Sequence, residues 1–197
     1  MSDRPIIPHN CFFQGCNNPE YEKEIRKAKE MCHRYNQLSP NDYEAQQEIL
    51  QNLLGKTGAN TTVVPPFWCD YGYHIRVGDH FYANHNLVVQ DGGGVCFGDH
   101  VFVGPNCCFT TAEHALDPEM RKAGVEIAKP IRIGNNVWIG AGCTILAGVE
   151  IGDNAVIGAG SVVTRAIPSN VVAVGVPCRV LREITEKDRT AYPFYGE

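Results

Sequence analysis

The sequence predicts a β-solenoid: a parallel β-helix of hexapeptide repeats, preceded by a helical segment and interrupted by one protruding loop. Three observations carry that expectation: a six-residue texture, an 18-residue phase, and one polar stretch where both are lost. Ile133-Gly134-Asn135-Asn136-Val137-Trp138 is followed at once by Ile139-Gly140-Ala141-Gly142-Cys143-Thr144. The pair returns as Ile151-Gly152-Asp153-Asn154-Ala155-Val156 and Ile157-Gly158-Ala159-Gly160-Ser161-Val162, so Gly134/Gly152, Gly140/Gly158 and Gly142/Gly160 are each 18 apart. Phe97-Gly98-Asp99-His100-Val101-Phe102 and Val103-Gly104-Pro105-Asn106-Cys107-Cys108 are further copies. A period of six nested in 18 describes a triangular coil, three short strands per turn, with a β-branched residue pointing inward from each face. Glycine suits tight corners that need positive φ, and Asn or Asp tolerates the same region. An all-β sandwich would show longer runs of period-2 alternation, which this sequence rarely has.

In chain order, residues 1–56 read as a helical segment. Asn18-Pro19-Glu20 is a helix start: a capping amide, Pro at the first helical position, then an acid favoured by the dipole. Ile25, Ala28, Cys32 and Tyr35 form the buried stripe. Ser39-Pro40-Asn41-Asp42 opens a second helix with Ala45, Ile49, Leu50, Leu53 and Leu54 on its apolar face and Gly55 as its stop. Residues 57–184 are assigned to the β-helix, with an excursion over about 111–129 that begins Thr111-Ala112-Glu113-His114 and has no hexad phase. Order resumes at Pro130-Ile131-Arg132-Ile133. A solenoid broken by one excursion usually carries function there, because loops aim residues the regular coil cannot. The stretch Ile167–Pro177 closes the last coil, with Pro protecting its exposed edge, and 185–197 form a tail.

Composition narrows the classes of function. The chain has 197 residues, 44% apolar and 20% charged, enough for one domain with a sizeable core. Seventeen Lys/Arg against 22 Asp/Glu give a net charge of −5, which excludes a globally basic nucleic-acid-binding surface. No apolar run approaches the roughly 18–20 residues of a membrane span, and Met1-Ser2-Asp3-Arg4-Pro5 is no signal peptide. The expected compartment is the cytoplasm. Nine cysteines, an odd number without a CxxC pair, read as reduced and structural.

Three features could carry chemistry. His114 stands where the excursion leaves the coil, and a neutral imidazole there could accept a proton from an alcohol near neutral pH. His80, His85 and His100 could meet a neighbouring subunit and bind zinc, as in the γ-type carbonic anhydrases that use this fold; the recurrence of Gly78-Asp79-His80 as Gly98-Asp99-His100 instead reads as a polar corner. From Asn154 to Arg182 there is no Asp or Glu, whereas Arg165, Arg179 and Arg182 are present. Guanidinium forks of that kind suit phosphate oxygens, and a solvated coil edge is the alternative.

Together these residues resemble the hexapeptide-repeat acyltransferases, specifically the maltose/galactoside O-acetyltransferase group. The similarity runs from Arg26-Lys27-Ala28 and His33-Arg34-Tyr35-Asn36 to Pro177-Cys178-Arg179-Val180. Its most specific pieces are Cys69-Asp70-Tyr71-Gly72-Tyr73, Phe81-Tyr82-Ala83-Asn84, Thr111-Ala112-Glu113-His114, Gly134-Asn135-Asn136-Val137-Trp138-Ile139-Gly140 and Gly175-Val176-Pro177. The resemblance implies a left-handed coil and a homotrimer with each active site between two adjacent coils. It makes His114 the general base and places Asp70, Tyr82, Asn84 and Asp91 on or beside acceptor positions. It puts Ala141 and Ala159 against coenzyme A, Thr164 and Arg165 beside the pantetheine, Arg179 and Arg182 near the nucleotide phosphates, and Trp138 beside the cleft. Two departures stand out. The galactoside members carry an Asp near the amino terminus, where Gly15-Cys16-Asn17-Asn18 has no acid, and Gly92-Gly93-Gly94 replaces bulkier residues.

The implied reaction is transfer of acetyl from acetyl-CoA to a sugar hydroxyl in a ternary complex. His114 would take the hydroxyl proton, the Ala141 N–H would stabilise the oxyanion, and no metal would be needed. Cys107 and Cys108 belong to a hexad, which disfavours a covalent acyl-enzyme. An amine acceptor, as in the related antibiotic acetyltransferases, a zinc hydratase, or a non-catalytic scaffold are the competing expectations.

Overall fold

A computed structural model describes residues 4–189. The first three residues, and the expected tail from 190 onward, lie outside the described residues. The chain is a triangular parallel β-helix of about six turns. Each turn visits three faces in order. The first face contains Ile75–Arg76, Val95–Phe97, Ile131–Ile133 and Glu150–Ile151. The second runs Thr62–Val63, Tyr82–Ala83, Phe102–Val103, Trp138–Ile139, Val156–Ile157 and Val171–Val174, and the third Phe67–Cys69, Leu87–Gln90, Cys108–Thr110, Thr144–Ile145 and Val162–Val163. Two-residue strands suffice because each is one rung of a ladder that continues through the turns above and below.

The inward positions are Val, Ile, Phe, Cys and Ala, and they stack into one continuous core along the axis. Val137, Ile139, Cys143, Ile145, Ala155 and Ile157 are each at 0% exposure. The late coils pair Ile133 with Ile151, Trp138 with Val156 and Thr144 with Val162, the 18-residue phase read from the sequence. The early coils do not keep it. Ile75 pairs with Val95, Tyr82 with Phe102 and Val88 with Cys108, each 20 residues apart. The extra residues fall at one edge, between the third face and the first, at Asp70–His74 and Asp91–Gly94. The excursion leaves from that same edge in the next turn.

The corners explain the recurring Gly and Asn in two different ways. Asn136, Asn154, Gly142 and Gly160 sit at positive φ (54°, 59°, 68° and 71°), as expected. Gly140 does not; a Cβ there would stand 2.6 Å from the Ala159 backbone nitrogen, so its role is close approach between rungs. His80 and His100 both have positive φ and stack 4.6 Å apart. They are corner residues, while His85 binds the Pro65 carbonyl at another corner.

Helix α1 (Pro19–Asn36) starts as anticipated: the Asn18 side chain accepts from the Glu20 and Tyr21 amides, and Ala28, Cys32 and Tyr35 are buried. Asn36 fastens it to the coil by donating to the Phe67 carbonyl (3.0 Å) and accepting from the Phe67 amide (2.8 Å). Helix α2 (Tyr43–Leu53) caps the first turn with Leu50 and Leu53 buried. Two features depart from the sequence reading. Upstream of α1, Phe12–Gln14 is a strand, and the last coil is closed by Arg179–Glu183, which returns antiparallel on Val171–Val174. Backbone pairing, rather than proline, covers that edge.

Candidate active site

The excursion is a folded arm. Ala112–His114 and Val125–Ala128 pair antiparallel, and the short helix α3 (Pro118–Lys122) joins them, capped by the Asp117 carboxylate on the Met120 amide (2.9 Å). Phe12–Gln14 adds a third strand on the far side of Val125–Ala128. Register places His114 opposite Glu126, and Glu126 opposite Phe13, so three side chains of three strands form one row. The chain from Phe13 is then held by the Gly15 and Cys16 amides on the Gly124 carbonyl (3.2 and 3.1 Å) and by Gln14 Nε2 on the Ala123 carbonyl (2.8 Å). These bonds bring Cys16 beside Glu126, with its thiol donating to Oε1 at 3.2 Å.

Between this arm and the coil lies a cavity of about 420 Å³, lined on its polar side by His114, Glu126, Cys16, Asp70, Gln90 and Glu113, and on its apolar side by Ile7, Phe13, Tyr21, Ile25 and Tyr71. His114 lines it and its side chain is more than half exposed. Its Nδ1 stands 3.6 Å from Glu126 Oε1, too long for a formed hydrogen bond and close enough to stabilise an imidazolium when one forms. Burial raises the pKa of the Cys16 thiol, and the Glu126 carboxylate raises it further, so the thiol keeps its proton. Burial likewise raises Asp70, against the opposing pull of Lys29.

Asp91 lies beneath the wall. It is fully buried, its Oδ1 accepts from the Asp70 and Tyr71 amides (3.1 and 2.8 Å), and its Oδ2 has no partner among the described residues. Burial pushes its pKa up to about 6, opposed by the Tyr71 amide and reinforced by the Asp70 charge. The folded protein therefore holds this proton between pH 3.8 and 6, where the unfolded chain has released it. The associated stabilisation is complete below about pH 4 and lost as pH rises through 6. Asp91→Asn keeps the Oδ1 acceptor and removes the charge. Relative to the parent it should gain on the order of 3 kcal/mol between pH 4 and 7 in denaturant unfolding; parallel pH curves would contradict this account.

The other candidate residues occupy a different edge. Tyr82 and Trp138 point outward from the second face, with Phe102 between them in register. Asn84, Ala141 and Ala159 follow at the corner between the second and third faces. There the Gly142 amide bonds to Pro105 and the Gly160 amide to Ala141, both at 2.8 Å, so successive corners stack into a rail. Among the described residues the Ala141 and Ala159 amides find no acceptor, and a Cβ at Gly142 or Gly160 would meet nothing within 4 Å. Exposed donors along an open rail can accommodate an extended amide-bearing ligand. Thr164 and Arg165 are exposed at the edge that carries the cavity, two rungs beyond the arm. At the carboxyl end Arg179 donates to the Cys178 carbonyl (2.7 Å), and Arg182 is paired in a two-pronged contact with Asp188 (2.6 and 2.9 Å).

The comparisons with known proteins agree with this architecture. Residues 14–58 match the "Maltose acetyltransferase hexapeptide capping motif" and residues 130–165 the "Bacterial transferase hexapeptide (six repeats)". The galactoside O-acetyltransferase of Escherichia coli K12 is 44% identical over 171 residues, covering 87% of this chain and 84% of the relative. The chain belongs to the maltose/galactoside O-acetyltransferase family. Among solved structures, a galactoside acetyltransferase in complex with coenzyme A superposes with a TM-score of 0.88 at 40% identity, covering 94% of this chain and 92% of that one. The maltose O-acetyltransferase of Clostridium difficile 630 superposes with a TM-score of 0.84 at 43% identity, covering 86% of this chain and 90% of that one. The coil is accordingly the left-handed form of the parallel β-helix.

As a member of this acetyltransferase family, the chain brings His114 and Asp70 to one cavity, with Asp91 behind its wall. Tyr82, Asn84, Ala141 and Ala159 lie away from it. Sequence reasoning missed Cys16 and Glu126, which complete the cavity. The two-residue excess in the spacing of the early coils was the signal for its position, since it marks the edge where the prism opens. Among the described residues no helix is long and apolar enough to cross a membrane. Within one chain His80, His85 and His100 do not form a metal-binding group; among the described residues the group able to hold a metal ion is Cys16, His114 and Glu126.

Proposed function

We propose that this protein is an acetyl-CoA-dependent O-acetyltransferase of a sugar hydroxyl, acting as a cytoplasmic homotrimer. The observation that carries the reading is the separation of the two candidate half-sites onto different edges of one prism. His114, Asp70 and Glu126 stand at one edge, and the rail of Asn84, Ala141 and Ala159 follows another. A neighbouring copy presenting its rail to the first copy's cavity would complete a cleft. Outward Trp138 and Phe102, 56% and 50% exposed, and Leu116 at the tip of the arm, 93% exposed, suit such a contact. The coenzyme A bound in the galactoside acetyltransferase relative supports the donor.

In this reading the acceptor lies in the cavity with one hydroxyl directed at His114. The imidazole removes its proton as the oxygen attacks the thioester carbonyl, and Glu126 stabilises the imidazolium. A free rail amide such as that of Ala141 offers a hydrogen bond to the tetrahedral oxyanion, a contribution of about 3 kcal/mol. The thiolate of coenzyme A then leaves and takes up the proton. Holding both partners in line supplies much of the acceleration. Asp70 fits a role on acceptor hydroxyls, Thr164 and Arg165 beside the pantetheine, and Arg179 on the nucleotide phosphates; Arg182 could join it only by exchanging Asp188.

The deciding experiment is an acceptor panel of glucosides, galactosides, maltose and amino sugars, assayed for acetylated product with acetyl-CoA. Product on a neutral sugar is expected. Product on amino sugars alone would move the reaction to nitrogen, and a trimer that binds no acetyl-CoA would make the protein a scaffold.

A further inference from the structure

Cys16 serves no step of the proposed reaction, yet it lies against the two groups that do. Its Sγ is 3.2 Å from Glu126 Oε1, His114 Nδ1 is 3.6 Å from the same oxygen, and one donor atom from each of the three residues falls within 4.8 Å of the others. Donors on a shared tetrahedral zinc, with bonds of roughly 2.0–2.3 Å, stand about 3–4 Å apart. The three atoms are therefore near a common first coordination sphere, needing only side-chain adjustment.

The arrangement is backbone-determined. His114 and Glu126 are register partners, and the Gly15 and Cys16 amides anchor the third residue on Gly124. One sulfur, one imidazole and one carboxylate form a set for a borderline-soft ion; Mg2+ and Ca2+ take all-oxygen sites. A fourth position opens into the cavity, where water can complete the tetrahedron.

We propose that Cys16, His114 and Glu126 form a binding site for Zn2+, and that its occupation reversibly blocks the active site. On binding, the thiol releases its proton to solvent and the thiolate, the imidazole and the carboxylate donate to the ion. The ring nitrogen facing Glu126 is Nδ1. A neutral imidazole that gives its Nδ1 lone pair to a metal carries its one proton on Nε2 and has no lone pair left to accept another. The ion also engages Glu126 and takes up space otherwise open to the acceptor. Metal binding stands on the cluster alone; the block rests on the reading of His114 as the base.

Co2+ is the direct probe, titrated into the purified full chain with no substrate present. The expected result is a thiolate-to-cobalt charge-transfer band saturating at one ion per chain and bleached by Zn2+. Cys16→Ser should lose the band and bind more weakly by at least the roughly 10–100-fold that the loss of a mere outer partner costs, whereas Cys11→Ser, removing an exposed thiol five residues away, should keep it. Absence of the band, or its persistence in Cys16→Ser, overturns the site. Inhibition is read separately, by mass spectrometry of acetylated product, because free coenzyme A itself binds zinc. Zn2+ should inhibit the parent at concentrations that do not change the rate of Cys16→Ser relative to that variant's own metal-free rate, and a chelator should restore the parent's rate. Stimulation, or an unchanged rate with the site saturated, overturns the block. A protein that acetylates no acceptor yet shows the Cys16-dependent band refutes the proposed reaction and leaves the metal site standing.

Discussion

His114→Ala should lower turnover by roughly 10²–10⁴-fold while acetyl-CoA affinity stays nearly unchanged. The two halves of that expectation test different things. The loss in rate tests the proposal that the imidazole takes the proton of the acceptor hydroxyl. Glu126, the nearest carboxylate, stands behind the ring on its Nδ1 side. The retained affinity follows from the separation of the half-sites. The imidazole belongs to the arm, whereas the free Ala141 and Ala159 amides belong to the rail at another edge. Single-turnover measurements of product and equilibrium binding of acetyl-CoA supply the two readouts. Normal turnover in the variant would remove the general-base assignment. An equal loss of acetyl-CoA affinity would mean that the arm grips the donor instead of serving the acceptor.

Much of this architecture was legible because a solenoid writes its fold into the sequence as a repeat. Where one rung constrains the next, as in Trp138 over Phe102 and under Val156, local pattern and tertiary contact carry the same information. The Asn18 start of α1 and its Ala28, Cys32 and Tyr35 stripe were legible for a similar reason: capping and burial are set within a few residues. The functional edge was less so. Phe12–Gln14 has no strand signature of its own and pairs with residues more than a hundred positions away. The closeness of Cys16 to Glu126 depends on that long-range pairing, and nothing local in Gly15-Cys16-Asn17 announces it. The arm itself read as a polar loop because a two-stranded ribbon with both faces partly wet lacks a clean alternation. The Gly recurrence reads as a corner requirement alone, although Gly140 serves close stacking, which spacing cannot distinguish from a φ requirement.

The coil must also hold the edge from which the arm departs, and Phe109 is a fully buried side chain two residues before that edge. It has no exposure, sits 5.0 Å edge-on from Phe97, which in turn lies 4.9 Å from Phe81, and its strand pairs it with Val89 and Ile145. Two residues later Thr111, also buried, donates to the Gln90 carbonyl (2.6 Å) and accepts from the Gly93 amide (2.7 Å), the last ties before the arm begins. Phe109→Ala opens a cavity in a core whose rungs cannot close independently, because each strand is held in register by the turns on both sides. The expected cost is about 3–5 kcal/mol, a fall of roughly 10 °C in melting temperature. Phe109→Leu, which retains most of the volume, should cost about 1 kcal/mol. Activity in Phe109→Ala should decline below its melting point as well, since the slackened rung carries Thr111 and, beyond it, the strand that ends at His114. A variant that melts with the parent would show that the aromatic column is not a bearing part of the prism; one that melts early yet keeps full turnover until it unfolds would uncouple the core from the arm.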